Sequence, residues 1–264
     1  AGVGLGLALR YRGAGTRLAL ASVLAGTALW GWSAAPSSGL ARATQMHLQR
    51  LAAAVPMLPA GEARFGAVVR TAFAPMAGGA LQSTAVEHNR AAILALGIVL
   101  GHERLARMVG VETPPLLLDE IAAVRAGTAL REREDWARHY ALSAALAVLQ
   151  HPFASDAAGL MKEQLDALTQ GSGFSFGDLA ADRAGVRFAA AATHSDAAAT
   201  GMQSRLRRGF VIADFFPAVA DLPENLTVEA FRRDYGGVGS RRYRQLAAEI
   251  EARLDGCAAL SPRL

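Results

Sequence analysis

Between Asp135 and Thr193 the chain carries three helical patterns joined by links so short that the helices must pack side by side. Asp135 to Gln150 reads as a helix that stops before Pro152. Ser155 or Asp156 caps a second, running to about Thr169; the Gly171 to Gly173 turn follows, and Ser175 opens a third that runs to about Thr193. Short-linked helices pack antiparallel to their neighbours. The expected fold class is therefore mainly α, a helical bundle with an N-terminal apolar anchor or signal helix.

The flanking segments agree with that class. An amphipathic stretch from Leu40 to Val55 ends at Pro56 and Pro59, and residues Glu62 to Phe73 form another short helix. Thr84 or Ser83 caps a long helix from Val86 to about Val109, apolar in its middle and charged at both ends, with Gly110 at its close. Pro114 and Pro115 cannot continue a helix, and LLLDEIAAVRAG after them fits a short strand or a helix equally. The tail holds a segment from Thr227 to Tyr235, a glycine turn from Gly236 to Gly239, and a last amphipathic helix from Ser240 to Leu254. The expected organisation is an anchor or signal segment with linker over 1–39, a helical core over 40–200 and a C-terminal helical extension over 201–264.

The N-terminal call rests on charge. Leu18 to Ala35 is uncharged and follows Arg10, Arg12 and Arg17. Its length is borderline for a span of about 20 residues, and the small residues after Trp32 equally suit a signal-peptide cleavage region. A buried core helix is the alternative. With the basic flank on the N-terminal side, the bulk of the chain is expected on the periplasmic side of a bacterial envelope, membrane-anchored or exported.

At 52% hydrophobic residues, the chain has ample material for a core. Its 27 basic against 23 acidic residues leave only a small excess, and the arginines fall singly or in pairs without the aromatic interleaving that strand binding needs, so no nucleic-acid partner is expected. Lys162 is the only lysine and Cys257 the only cysteine, which excludes an internal disulfide framework and a thiolate metal cage.

Candidate chemistry concentrates between Asp135 and Arg187. His139 lies one turn beyond Asp135 and one before Ser143, so the three share a helix face. Glu163 and Asp166 share a face of the second helix beside Lys162, and Asp178 and Asp182 a face of the third, near Arg183 and Gly185. Bundle cores build carboxylate-and-histidine metal sites in this way. The catalytic candidates are His139, Glu163 and Asp166; the metal candidates are His139, Asp178 and Asp182; the cofactor is left open, with a divalent metal as its candidate. The bland alternative is that Ser175 and Asp178 merely start a helix and that the other acids are solvated or pair with Arg183 and Arg187.

Other motifs fail on context. GFSFG matches the Gly-x-Ser-x-Gly pattern, but a helix pattern precedes it where a nucleophile elbow needs a strand. His102-Glu103 begins like a zinc-protease helix, yet Ala106 stands where the second histidine belongs.

The stretches DWARHYALSAALAVL, AAGLMKEQLDAL and GSGFSFGDLAADRAGVRF resemble a family of uncharacterised bacterial exported proteins, as do NRAAILALGIVLG upstream and LPENLTVEAFRRDYGGVGSRRYRQLAAEIEARL downstream. Together they cover most of the chain after Glu87. More distantly, the order of histidine, Lys-Glu-x-x-Asp and Asp-Leu-x-x-Asp with a following glycine is similar to the VanZ-like membrane-associated families. The resemblance implies a helical core, an envelope setting and carry-over of His139, Lys162, Glu163, Asp166, Asp178, Asp182 and Gly185, but no reaction. The chain departs from it in Gln164-Leu165 and in His102-Glu103, where a glycine-containing turn belongs.

Two functions follow as expectations. One is an envelope-associated hydrolase whose His139 cluster binds a divalent metal. The other is a non-enzymatic membrane-tethered scaffold whose cluster is a salt-bridge network, with the membrane as one partner through the N-terminal segment and a protein as another through the C-terminal helices.

Overall fold

The computed structural model describes residues 38–75, 84–149 and 173–261. The apolar segment from Leu18 to Ala35 and the helix read between Ser155 and Thr169, with Lys162, Glu163 and Asp166, lie outside them. Among the described residues there are eleven α-helices and no strand. In chain order they are α1 (Ser38–Ala53), α2 (Ala63–Phe73), α3 (Ala85–Leu96), α4 (Arg104–Val109), α5 (Pro115–Arg125), α6 (Glu134–Leu149), α7 (Phe176–Thr193), α8 (Asp196–Arg208), α9 (Ile212–Phe215), α10 (Val228–Tyr235) and α11 (Arg241–Asp255). No described helix is long and apolar enough to cross a membrane.

The axis of the fold is the pair α6 and α7. Trp136 meets Gly177, His139 meets Asp178 and Asp182, and Tyr140 meets Gly185, so the paired positions advance together and the two helices run in the same direction. That is the relation expected between the first and third of three short-linked helices. Small residues on α7 permit a close approach: a Cβ on Gly185 would stand 2.1 Å from the Tyr140 carbonyl oxygen. The constraint is geometric, because backbone cannot give way as a flexible side chain can.

Around this pair α3 packs on α6, α1 and α2 pack on α3, and α8 lies against α3 and α7. Buried Asn89 on α3 joins three helices: its amide donates to the carbonyls of Ala192 (2.8 Å) and Ala199 (3.1 Å) and accepts from Gln203 (2.9 Å). Thr84 caps α3 with a full capping box, as its hydroxyl accepts from Glu87 N–H and the Glu87 carboxylate accepts from Thr84 N–H.

The single long helix expected over Val86 to Val109 is in fact broken. After Leu96 a π-helical turn, Gly97–Gly101, leads to His102 in an extended conformation before α4 begins. The turn is where the chain presses on α6: a Cβ at Gly97 would lie 2.2 Å from the Cβ of Ala145. Arg125 holds the same turn from outside by donating to the carbonyls of Val99 (2.8 Å) and Ile98 (3.3 Å). The ambiguous stretch after Pro115 is helix, with Pro114 as its N-cap and Pro115 inside its first turn, where a missing N–H costs nothing. Two helices, α8 and α9, occupy a stretch in which the sequence reading named no element.

The C-terminal helices share the core. Ile250 and Leu254 of α11 are fully buried, and Phe174, Phe176, Phe231 and Tyr243 form one aromatic contact group. Arg183 and Arg187 on α7 pair with Glu251 and Asp255 of α11, which fastens that helix to the axis.

Gly185→Ala should cost ~1–3 kcal/mol or more in urea unfolding, since the new methyl has only backbone to displace. Gly201→Ala on α8, with nothing within 4 Å of the new Cβ, should instead stabilise by roughly 0.5–1 kcal/mol. Equal effects at the two positions would contradict the close approach of α6 and α7.

Candidate functional site

Ser175 leaves the turn at Gly173 in an extended conformation, and its hydroxyl accepts the Asp178 N–H (3.0 Å). The serine of the GFSFG pattern is thus a helix N-cap. That start sets the phase of α7 so that Asp178 and Asp182, one turn apart, face α6. On α6, Asp135, His139 and Ser143 share the opposing face, as their spacing predicts.

His139 sits between the two acids. Its Nδ1 lies 3.0 Å from Asp182 Oδ1 and its Nε2 lies 3.6 Å from Asp178 Oδ2. Ser143 Oγ also donates to Asp182 Oδ1, at 2.7 Å. The His139 side chain is 5% exposed and that of Asp178 8%, whereas Asp182 at 29% reaches toward solvent. Ser143 spends its proton on Asp182 rather than on the imidazole, so it is not activated as a nucleophile.

Charge decides the state of the ring. Burial works against an imidazolium, but the charge and hydrogen bond of Asp182, then the charges of Asp178 and Asp135, outweigh it and raise His139 from 6.5 to about 9. Burial pushes the Asp178 carboxyl up to about 6; His139 opposes this, while Asp135, Asp182 and Glu224 add to it. Between about pH 6 and 9, the centre therefore holds a charged histidine beside an ionised Asp178.

A second ion pair borders the first. Arg133 grips Asp135 through two bonds (2.9 and 2.6 Å) and Glu224 through a third (2.6 Å). Asp135 is half-buried, and Arg133 still holds its carboxyl below the usual range. The Leu222 to Leu226 segment reaches this point because Phe174 and Leu226 exchange backbone hydrogen bonds and Phe176 N–H donates to the Pro223 carbonyl. Gly177, lacking a Cβ, lets the Glu224 carboxylate and the Trp136 ring close on the start of α7.

Sequence reasoning assembled His139, Asp178, Asp182, Asp135 and Ser143, and the structure brings these together. It missed Arg133 and Glu224, which are 91 positions apart. No local periodicity signals such a pair. Arg183 and Arg187, weighed as partners for the acids, bind α11 instead, and the Asp182 charge is met by His139. Glu163 and Asp166 lie outside the described residues.

A metal ion finds mixed support in these residues. Asp178 Oδ1 and Glu224 Oε1 are buried without hydrogen-bond partners, as a cation site would leave them. Yet no three described His, Cys, Asp or Glu side chains are arranged to hold one, and both ring nitrogens of His139 face carboxylates. Comparison with family models, curated proteins and solved structures finds no match to this chain.

The two buried histidines among the described residues pull stability in opposite directions with pH. His139, raised when folded, contributes stability that is complete below pH 6.5 and lost as pH rises through about 9. His47, packed edge-on to His88, is driven down to about 3, first by burial and then by the charges of His88 and Arg50. Its contribution is complete above pH 6.5 and is lost as pH falls toward 3. Urea unfolding of the wild type should lose about 3 kcal/mol from His139 between pH 6.5 and 9. His139→Gln should remove most of that alkaline decline; the same decline in both proteins would contradict a charged His139.

Proposed function

We propose that this chain is a non-enzymatic helical scaffold of the bacterial envelope, tethered through the apolar segment from Leu18 to Ala35, in which a buried histidinium network fixes how α6 and α7 pack. The observation that supports this reading is the placement of both His139 ring nitrogens against carboxylates, at 3.0 and 3.6 Å. An imidazolium so placed is neither a metal ligand nor a general base near neutral pH. It is a counter-charge, supplied from α6, for two acids that lie one turn apart on α7 and would otherwise repel each other. A buried ion network of this kind adds little net stability over apolar packing, but it selects one register and penalises others. The envelope setting rests on the charge pattern of the N-terminal segment and on the resemblance to exported proteins. The partner-binding end is the C-terminal pair α10 and α11, whose outer face carries Arg241, Arg242 and Arg244.

A second reading draws on the unpartnered buried oxygens of Asp178 and Glu224. On it, His139, Asp178 and Asp182 are ligands, Glu163 and Asp166 handle protons, and a divalent metal would supply Lewis acidity toward an envelope substrate.

Metal content by mass spectrometry separates the two, on protein purified without chelator as wild type, His139→Ala and Asp182→Ala. The scaffold reading expects wild type without stoichiometric metal and a stability loss of about 3–5 kcal/mol in His139→Ala, which strands two acids. Stoichiometric metal in the wild type, absent from both folded variants, would overturn the scaffold reading of the cluster and support a bundle-core metal site in its place.

A further inference from the structure

A cleft of about 200 Å³ opens between the end of α5, the π-helical turn and the first turns of α6. Its lining joins apolar Leu100 and Ala137 to two arginines, Arg125 and Arg138. Neither is neutralised by an ion pair among the described residues. Arg125, half-buried, spends Nε and one terminal nitrogen on the carbonyls of Val99 and Ile98, both uncharged acceptors. Its other terminal nitrogen has no hydrogen bond among the described residues. The Arg138 side chain is exposed, and among the described residues it makes no hydrogen bond or ion pair.

The nearest acid does not fill the gap. Glu134 lies one helical turn before Arg138 and lines the same cleft, a spacing at which opposite charges ordinarily pair. Its carboxylate instead accepts the Gly127 N–H at 3.1 Å. Burial first, and then the charge of Arg138, hold Arg125 below its ordinary value, while Glu103 offsets this only in part. Two like charges line one small cavity with a single carboxylate, that of Glu134, among its lining residues, so the cleft keeps a net positive charge and guanidinium donors unspent among the described residues.

We propose that the Arg125 and Arg138 cleft is a binding site for a small oxyanion of the phosphate or phosphomonoester class. Guanidinium forks match the spacing of phosphate oxygens and bind them through paired, charge-assisted hydrogen bonds. The cleft is smaller than the roughly 300–1,000 Å³ pockets that enclose drug-sized ligands, so it suits a phosphate group and not a whole nucleotide. Occupancy would also brace the π-helical turn, because Arg125 holds the anion with one end of its fork and the turn's carbonyls with the other.

The probe is inorganic phosphate, titrated calorimetrically into the full chain at constant ionic strength. Wild type should bind at one saturable site, Arg138→Gln should weaken binding by about tenfold or more, and Ala126→Glu, which plants a carboxylate at the rim, should abolish it. The Arg138 side chain makes no bond among the described residues, so Arg138→Gln should melt with the wild type. Competition by glycerol 3-phosphate marks a soluble ester as the carrier of the group. Arg138-dependent binding to vesicles of phosphatidic acid in phosphatidylcholine marks a lipid headgroup. Absence of saturable phosphate binding by wild type, or identical binding by Arg138→Gln, would overturn the proposal.

Discussion

The structure depends on how closely α6 and α7 approach one another. At Gly185 the backbones nearly touch, and glycine and alanine fill most of the buried positions of α7. Large side chains meet α6 at few points, as where Phe188 contacts Tyr140. Interdigitating large side chains normally specify register. Here an ionic device adds to them: a histidine on one helix bracketed by aspartates one turn apart on the other.

That device carries a cost which the surroundings reduce. Removing an imidazolium and two carboxylates from water is unfavourable unless each charge meets an opposite one. Asp182 keeps partial access to solvent and takes a second hydrogen bond from Ser143, while Asp178 takes up the strain as an elevated pKa and an unpartnered oxygen. Arg133 contributes from the border by neutralising Asp135 and Glu224, which would otherwise add to the negative field around Asp178. The pairing of Arg183 and Arg187 with α11 keeps those cations committed elsewhere. His47, equally buried but without acids beside it, shows the opposite outcome for the same side chain.

Much of this was legible locally. Period and caps predicted α1, α2, α6, α7 and α11, and Ser175 and Ser240 do cap α7 and α11 through their own hydroxyls. The convergence of His139, Asp178 and Asp182 followed from helical spacing and short links. What spacing could not predict depends on tertiary contact. The break after Leu96 arises where Gly97 meets Ala145, and the pairing of Arg133 with Glu224 depends on a segment carried in by a short backbone bridge to Phe174. The helix α8 went unnamed in the sequence although Ser195 caps it through its hydroxyl and Gly209 closes it.

The most direct test is an NMR titration of the His139 imidazole in the folded full chain, with His139→Gln used to assign the resonance. A histidine charged between two aspartates titrates with a midpoint near 9. A midpoint at or below the ordinary 6.5 would mean that the ring is neutral in the fold, and would contradict the ionic account of how α6 and α7 are held.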